Sequence, residues 1–240
     1  MPHTCRPLHP AEPFQFQCYP GVTCFTDCCR ELDLALTPYD TLRLKNRLKM
    51  HSGHFLEQYV IVEWDERQPF PLCYLTMVDD GRASCVFVRE DGCSVYSDRP
   101  GSCRAYPVGR GTTRQPDGKI LEQFILLTEA HCKGFAENNE QDIAGYFTNQ
   151  EMTAYNRAND ALLPLLQHER IQRGFKPSRE QLDQYMLALY NLDTFRQEIA
   201  DGRITLHRPF NPLEMQGIAG DDEHLLQLGI TWLIQEFFQN

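Results

Sequence analysis

Apolar positions along this chain follow two periods. Between residues 60 and 88 they come in short runs, VIVEW (60–64), LCYLTMV (72–78) and CVFV (85–88), rich in β-branched and aromatic residues. That composition predicts short β-strands. The Asp-Gly within VDDGRAS predicts a hairpin between the second and third runs, and EDG at 90–92 predicts another turn. RQPDGKILEQFILL reads as a turn followed by a strand that ends before His131 and Cys132. Helical spacing surrounds these runs. In LTPYDTLRLKNRLKMHSG, Thr37 caps, Pro38 suits the first helical position and Asp40 meets the helix dipole, with Gly53 as the expected end. HFLEQYV predicts a further short helical turn.

From residue 137 the helical period dominates. TNQE (148–151) has the capping-box pattern and opens a segment carrying Met152, Tyr155, Leu162, Leu163 and Leu166, which Pro164 should break. SREQ (178–181) is a second box, ahead of a stripe of Leu182, Tyr185, Met186, Leu189, Leu192 and Phe195. Asp221 and Asp222 are placed to cap a last helix. Residues 1–17, with four prolines, read as an extended lead. The pattern predicts an α+β protein: a small cysteine-rich part with short strands over residues 14–136, then a helical part over 137–240.

Charge narrows the partners. With 23 basic and 33 acidic residues the formal charge is −10. Nucleic acid and anionic membranes are gripped by clustered Lys and Arg, so neither is expected. No apolar run of about 18 residues occurs, so no membrane span is expected. The N-terminus lacks an apolar signal region, which points to the cytoplasm, where thiols stay reduced. Ten cysteines in such a setting suggest metal or redox chemistry rather than disulfides. None follows Cys132.

The spacings test that idea. Cys18, Cys24, Cys28 and Cys29 fall in one run, CYPGVTCFTDCCR, and no Cys-x-x-Cys occurs anywhere. A thioredoxin-like motif and a zinc-ribbon signature are therefore both absent. Adjacent side chains diverge, so Cys28 and Cys29 suit two metals or a multi-iron cluster better than one tetrahedral ion. Cys85, Cys93, Cys103 and Cys132 lie further along, each beside a turn signal. The block 99–119 holds five basic residues and one acid, either a charge-compensating surround for thiolates or a solvated basic loop. Tyr96, Arg99 and Arg104 are candidate donors to the sulfurs, or else packing and turn residues. His131, beside Cys132, is a candidate alternate ligand or a structural histidine. His51 and His54 read as surface histidines.

FQCYPGVTCFTDCCR, LTPYDTLRLKNRL, CVFVREDGCSVYSDRPGSCRAYP and CKG, in that order, resemble the YkgJ-like cysteine-cluster family, also called the CxxCxxCC zinc- or iron-chelating domain. The resemblance covers roughly residues 16–134. It implies eight metal ligands: Cys18, Cys24, Cys28, Cys29, Cys85, Cys93, Cys103 and Cys132. Five residues rather than two separate Cys18 from Cys24, a departure from the family pattern. Cys5 and Cys73 fall outside the pattern, and Cys73, in a strand run, reads as a core thiol. All-thiolate ligation suits an iron–sulfur cluster or Zn(2+) alike. The implied roles are electron transfer, metal handling or structure. The alternative implied by some relatives is an S-adenosylmethionine-dependent protein-lysine N-methylase, although no Gly-rich nucleotide loop is present. The helical C-terminal part is the expected surface for a protein partner.

Overall fold

A computed structural model describes residues 3–204 and 212–239 of the chain; residues 205–211 and 240 of the expected helical part lie outside the described residues. In chain order the elements are β1 (His3–Pro7), β2 (Phe14–Gln15), α1 (Pro38–Leu48), α2 (Ser52–Tyr59), β3 (Val60–Glu63), β4 (Leu72–Leu75), β5 (Met77–Val78), β6 (Ser84–Cys85), β7 (Val88–Arg89), β8 (Gly92–Cys93) and α3 (Gly101–Ala105). There follow β9 (Val108–Arg114), β10 (Ile120–Glu129), β11 (Glu140–Gln141), α4 (Ile143–Asn149), α5 (Met152–Ala161), α6 (Leu163–Leu166), α7 (Glu169–Gln172), α8 (Arg179–Leu189), α9 (Leu192–Ala200), α10 (Pro212–Gly220) and α11 (Asp222–Phe238). The protein is mixed α+β, with short strands in small sheets and a mostly helical C-terminal part. Among the described residues, no helix is long and apolar enough to cross a membrane.

The chain forms two compact units, residues 1–35 with 75–157, and residues 36–74 with 158–240. These units interleave along the sequence, a different partition from the sequence-order one at 136/137.

In the first unit, β1, β10 and β9 make an antiparallel sheet in that order, with Cys5 opposite Leu127 and Gly109 opposite Ile125. Alternation along β10 buries Leu126 while Ile125 stays exposed. A core of Leu8, Phe14, Phe16, Val108, Leu126, Ile143 and Tyr146 packs against Tyr106, Phe135 and Cys132. Phe16 meets Phe135 at 5.2 Å and Tyr106 at 6.0 Å between ring centroids, within the range of favourable aromatic pairs. Three two-stranded ladders, β5–β6, β7–β8 and β11–β2, complete it.

In the second unit, α1 opens with a complete capping box between Thr37 and Asp40. Lys45, buried in α1, bridges Asp193 at 3.0 Å and Asp222 at 2.8 Å, and Arg196 also pairs with both acids. Gly229 of α11 lets that helix press on α8, since a Cβ there would meet the Ala188 carbonyl oxygen at 2.5 Å. Cys73 is buried here, and burial pushes its thiol up to about 12, in line with a core role.

Several sequence expectations hold and others change. SREQ forms its capping box, and Asp221 caps α11 through the Glu223 and His224 amides. Gly53 does not end α1. The helix stops at Leu48 because Lys49 turns left-handed, φ 54°, with its amide donating to Asn46 and Lys45 carbonyls; Gly53 lies inside α2. TNQE does not cap. Thr148 sits in α4 with its hydroxyl donating to the Ala144 carbonyl, and the chain breaks at Glu151, φ 54°, before α5. The 72–78 run divides between two ladders, β3–β4 and β5–β6. The basic block 99–119 is α3, β9 and a turn rather than a loop.

Candidate metal centre

The cysteine run is a string of tight turns. Amides of Val22, Phe25, Asp27 and Cys29 donate to carbonyls of Tyr19, Val22, Cys24 and Thr26, each at 2.9–3.0 Å. Thr26 takes φ 70° to allow the last one. Three short-range ties fix where the run lies. At its start, the Gln17 amide donates to the Gly134 carbonyl at 3.0 Å, beside Cys132. At its end, the Glu31 amide donates to the Ala83 carbonyl at 3.0 Å, and Arg30 bridges Ser84, beside Cys85. In the middle, Phe25 packs on Gly92, where an added Cβ would meet the ring at 3.2 Å, beside Cys93. Three stretches distant in sequence are thus drawn to the same run.

Backbone amides are aimed at the sulfurs. The Lys133 amide donates to Cys24 Sγ at 3.1 Å, while the next amide, Gly134, serves Cys132. One tight turn therefore orients two thiols that lie 108 positions apart. Cys93 receives the amide two residues on, Val95, and Cys85 receives those of Phe87 and Val88. Cys93, Cys85 and Cys132 share this amide-to-sulfur offset, the arrangement that steadies a thiolate on a metal.

The electrostatics group the thiols further. Burial, then the charges of Cys28, Cys24 and Cys132, push the Cys18 thiol up to about 11. Cys28 is raised by its hydrogen bond with Cys29 and by burial. Cys132 is raised by burial, against the opposing pull of Tyr106 and the Gly134 amide. Burial also raises Cys85 and Cys93; the charge of Cys93 raises Cys85 further, and the Arg89 cation lowers both. Arg99 lowers both Cys18 and Cys93, so its charge reaches both thiol sets. It is held by the Tyr96 carbonyl and Gln150 and lies 3.9 Å above the Tyr96 ring.

Cys18 feels the charges of Cys28, Cys24 and Cys132, Cys29 is hydrogen-bonded to Cys28, and Cys85 feels the charge of Cys93. Cys18 is exposed at the start of the run, Cys103 stands exposed on α3, and Cys5 is exposed on β1. None of the ten cysteines is in a disulfide. Among the described residues, no three His, Cys, Asp or Glu side chains already stand at metal-holding geometry. The donor set fits a thiophilic metal: sulfurs from buried Cys24 to half-buried Cys28, Cys29, Cys85, Cys93 and Cys132, amide donors and cationic guanidiniums. As neighbouring thiolates they would repel one another, and a cation removes that cost.

Two residues of interest play other parts. Arg104 does not face the sulfurs: it is buried, donates to carbonyls of Ser97, Arg99 at 3.2 Å and Gln150 at 2.9 Å, and lies 4.9 Å from the Tyr155 ring centroid. Tyr106, which the sequence marks only as part of the family pattern, has a buried hydroxyl lying against Cys132 and Glu129 without a close hydrogen bond. Its Tyr-Pro setting gave no sign of this. His51 and His54 are exposed, and His51 caps α2.

Fold and thiol pattern together define a cysteine-rich chelating protein. Residues 17–141, just over half the chain, match the CxxCxxCC family, described as "Putative zinc- or iron-chelating domain". The chain belongs to that family. No curated protein and no solved structure matches it.

Proposed function

We propose that this protein binds zinc or an iron–sulfur cluster on cysteine thiolates of its first unit. Cys18, Cys24, Cys28 and Cys132 form one donor set. Cys29 extends it on the far side of Cys28. Cys85 and Cys93 form a second set, and Cys103 completes the eight that the family resemblance implies. The observation that carries the reading is the shared turn at Lys133–Gly134, whose successive amides serve Cys24 and Cys132. Oriented amides on two converging sulfurs have a use when those sulfurs are thiolates on one metal. The held metal serves electron transfer, metal handling or the structure of the unit.

The test is the metal content of the full chain purified without oxygen. Brown protein with iron and inorganic sulfide identifies a cluster. Colourless protein with stoichiometric zinc identifies zinc sites. Metal-free protein that takes up neither on anaerobic reconstitution would sink the proposal.

A further inference from the structure

Backbone strain is concentrated around Cys28 and Cys29. Among the described residues, five other than glycine have positive φ: Thr26, Glu31, Lys49, Ala83 and Glu151. Lys49 and Glu151 lie where α1 and α4 end, a common place for a left-handed residue. The other three lie on one short path through the cysteine run. Thr26 (φ 70°) precedes the 3-10 turn Asp27–Cys29 and Glu31 (φ 53°) follows it; the Ala83 carbonyl (φ 45°) accepts the Glu31 amide at 3.0 Å. A β-branched residue at positive φ is an outlier, and such strain gathers at functional sites.

One side chain holds this stretch. Arg30 Nη1 donates to the Thr26 carbonyl at 2.5 Å and reaches the Thr26 hydroxyl at 3.4 Å. The same carbonyl accepts the Cys29 amide at 3.0 Å, so both its lone pairs are engaged. The Asp27 carboxylate lies 3.8 Å from Nη1. The Arg30 backbone is itself fixed by its bridge to Ser84 and by the Glu31–Ala83 bond. The side chain thus reaches back across Asp27, Cys28 and Cys29 and closes them into a ring anchored beside Cys85. It does so although its Nε is buried without a partner, which is unfavourable.

We propose that Arg30 is a positioning residue for the metal centre: its guanidinium holds Thr26 left-handed, and that conformation sets the turn from which Cys28 and Cys29 diverge. The role is geometric rather than electrostatic. Without the clamp, Thr26 relaxes to negative φ, the Cys29 amide loses its acceptor and the adjacent thiols leave their turn. A glycine at position 26 takes φ 70° without steric strain, so it would keep the turn in the absence of Arg30. The inference rests on the thiolate centre proposed above and deepens it by naming what shapes its adjacent pair.

Wild type, Arg30→Gln, Thr26→Gly and the double variant Thr26→Gly/Arg30→Gln would be compared as full chains. Amide hydrogen exchange at Cys29 reports the turn in the metal-free protein, and zinc is the probe of the centre, its affinity read by anaerobic chelator competition. Arg30→Gln should speed Cys29 exchange and weaken zinc binding about 5- to 30-fold, the ratio that corresponds to one strained left-handed residue. The double variant should return both to the level of Thr26→Gly alone. A double variant as weak as Arg30→Gln, the mark of a charge effect on the thiolates, would overturn the inference. So would wild-type exchange and affinity in Arg30→Gln. The double variant decides even where Arg30→Gln does not fold, and its own failure to fold would count against the clamp. Wild type without affinity for zinc would remove the zinc form of the centre, and Cys29 exchange would then decide the clamp by itself.

Discussion

Gly134 is where a single methyl group should damage the metal centre most cleanly. Its backbone holds three things at once. Its carbonyl accepts from Gln17 at 3.0 Å, its amide serves Cys132, and the amide before it serves Cys24. An alanine Cβ would meet the Gln17 carbonyl oxygen at 2.7 Å and Phe16 Cε2 at 2.7 Å, 0.7 Å inside the 3.4 Å where ordinary contact begins. Both neighbours are poor at yielding: one is backbone, the other a ring buried in the core. Overpacking of this kind costs about 1–3 kcal/mol. Losing the Gln17 bond adds about 1 kcal/mol. Gly134→Ala should therefore lower apo stability by about 2–4 kcal/mol in denaturant unfolding. Because the displaced turn also orients two sulfurs, metal affinity should fall about 10- to 100-fold, the range seen when groups that orient ligands are lost. The control is Gly220→Ala, where an added Cβ has nothing within 4 Å. Wild-type stability and metal affinity in Gly134→Ala would refute the reasoning.

Two further outcomes follow from the same structure. Lys45→Met removes the buried cation between Asp193 and Asp222 and leaves Arg196 as their remaining charged partner, which should cost about 1–3 kcal/mol while metal content stays unchanged; an unaltered unfolding midpoint would contradict the network's role. Cys18 is raised in the fold from 9.0 to about 11, so the folded apo protein holds this proton more tightly than the unfolded chain. That stabilisation is complete below pH 9 and lost as pH rises through 11. Apo protein should lose stability over that window by equilibrium unfolding, and Cys18→Ser should flatten the loss; identical pH profiles for the two would count against the partial desolvation of the Cys18 thiol and the influence of Cys28, Cys24 and Cys132 on it.

Local chemistry was legible in the sequence. The Thr37 and Ser178 boxes, the break at Pro164 and the Asp221 cap depend on residues within a turn of one another. Cys73 was legible as core because a strand run announced it. What the pattern could not reveal depends on contacts across many residues. α1 packs with C-terminal helices because Lys45 finds Asp193 and Asp222, about 150 to 180 positions away. Arg104 reads in the sequence as either a donor to the sulfurs or a packing and turn residue, and the carbonyls of Ser97, Arg99 and Gln150 decide for the second. The amide donors at Lys133 and Gly134 carry no side-chain signature at all. The family resemblance alone implies the eight cysteines as one ligand set, while the charge effects that link Cys18 with Cys24, Cys28 and Cys132, and Cys85 with Cys93, depend on the fold.

Protection of individual thiols tests the central claim most directly. Metal-loaded and chelator-stripped full chain would be alkylated without oxygen, and each cysteine scored by mass spectrometry. Cys18, Cys24, Cys28, Cys29, Cys85, Cys93, Cys103 and Cys132 should be protected when loaded and modified when stripped. Exposed Cys5 should react in both states, and buried Cys73 should resist in both until the chain unfolds. Equal modification of Cys24 and Cys132 in the two states would contradict a thiolate centre built on the Lys133–Gly134 turn.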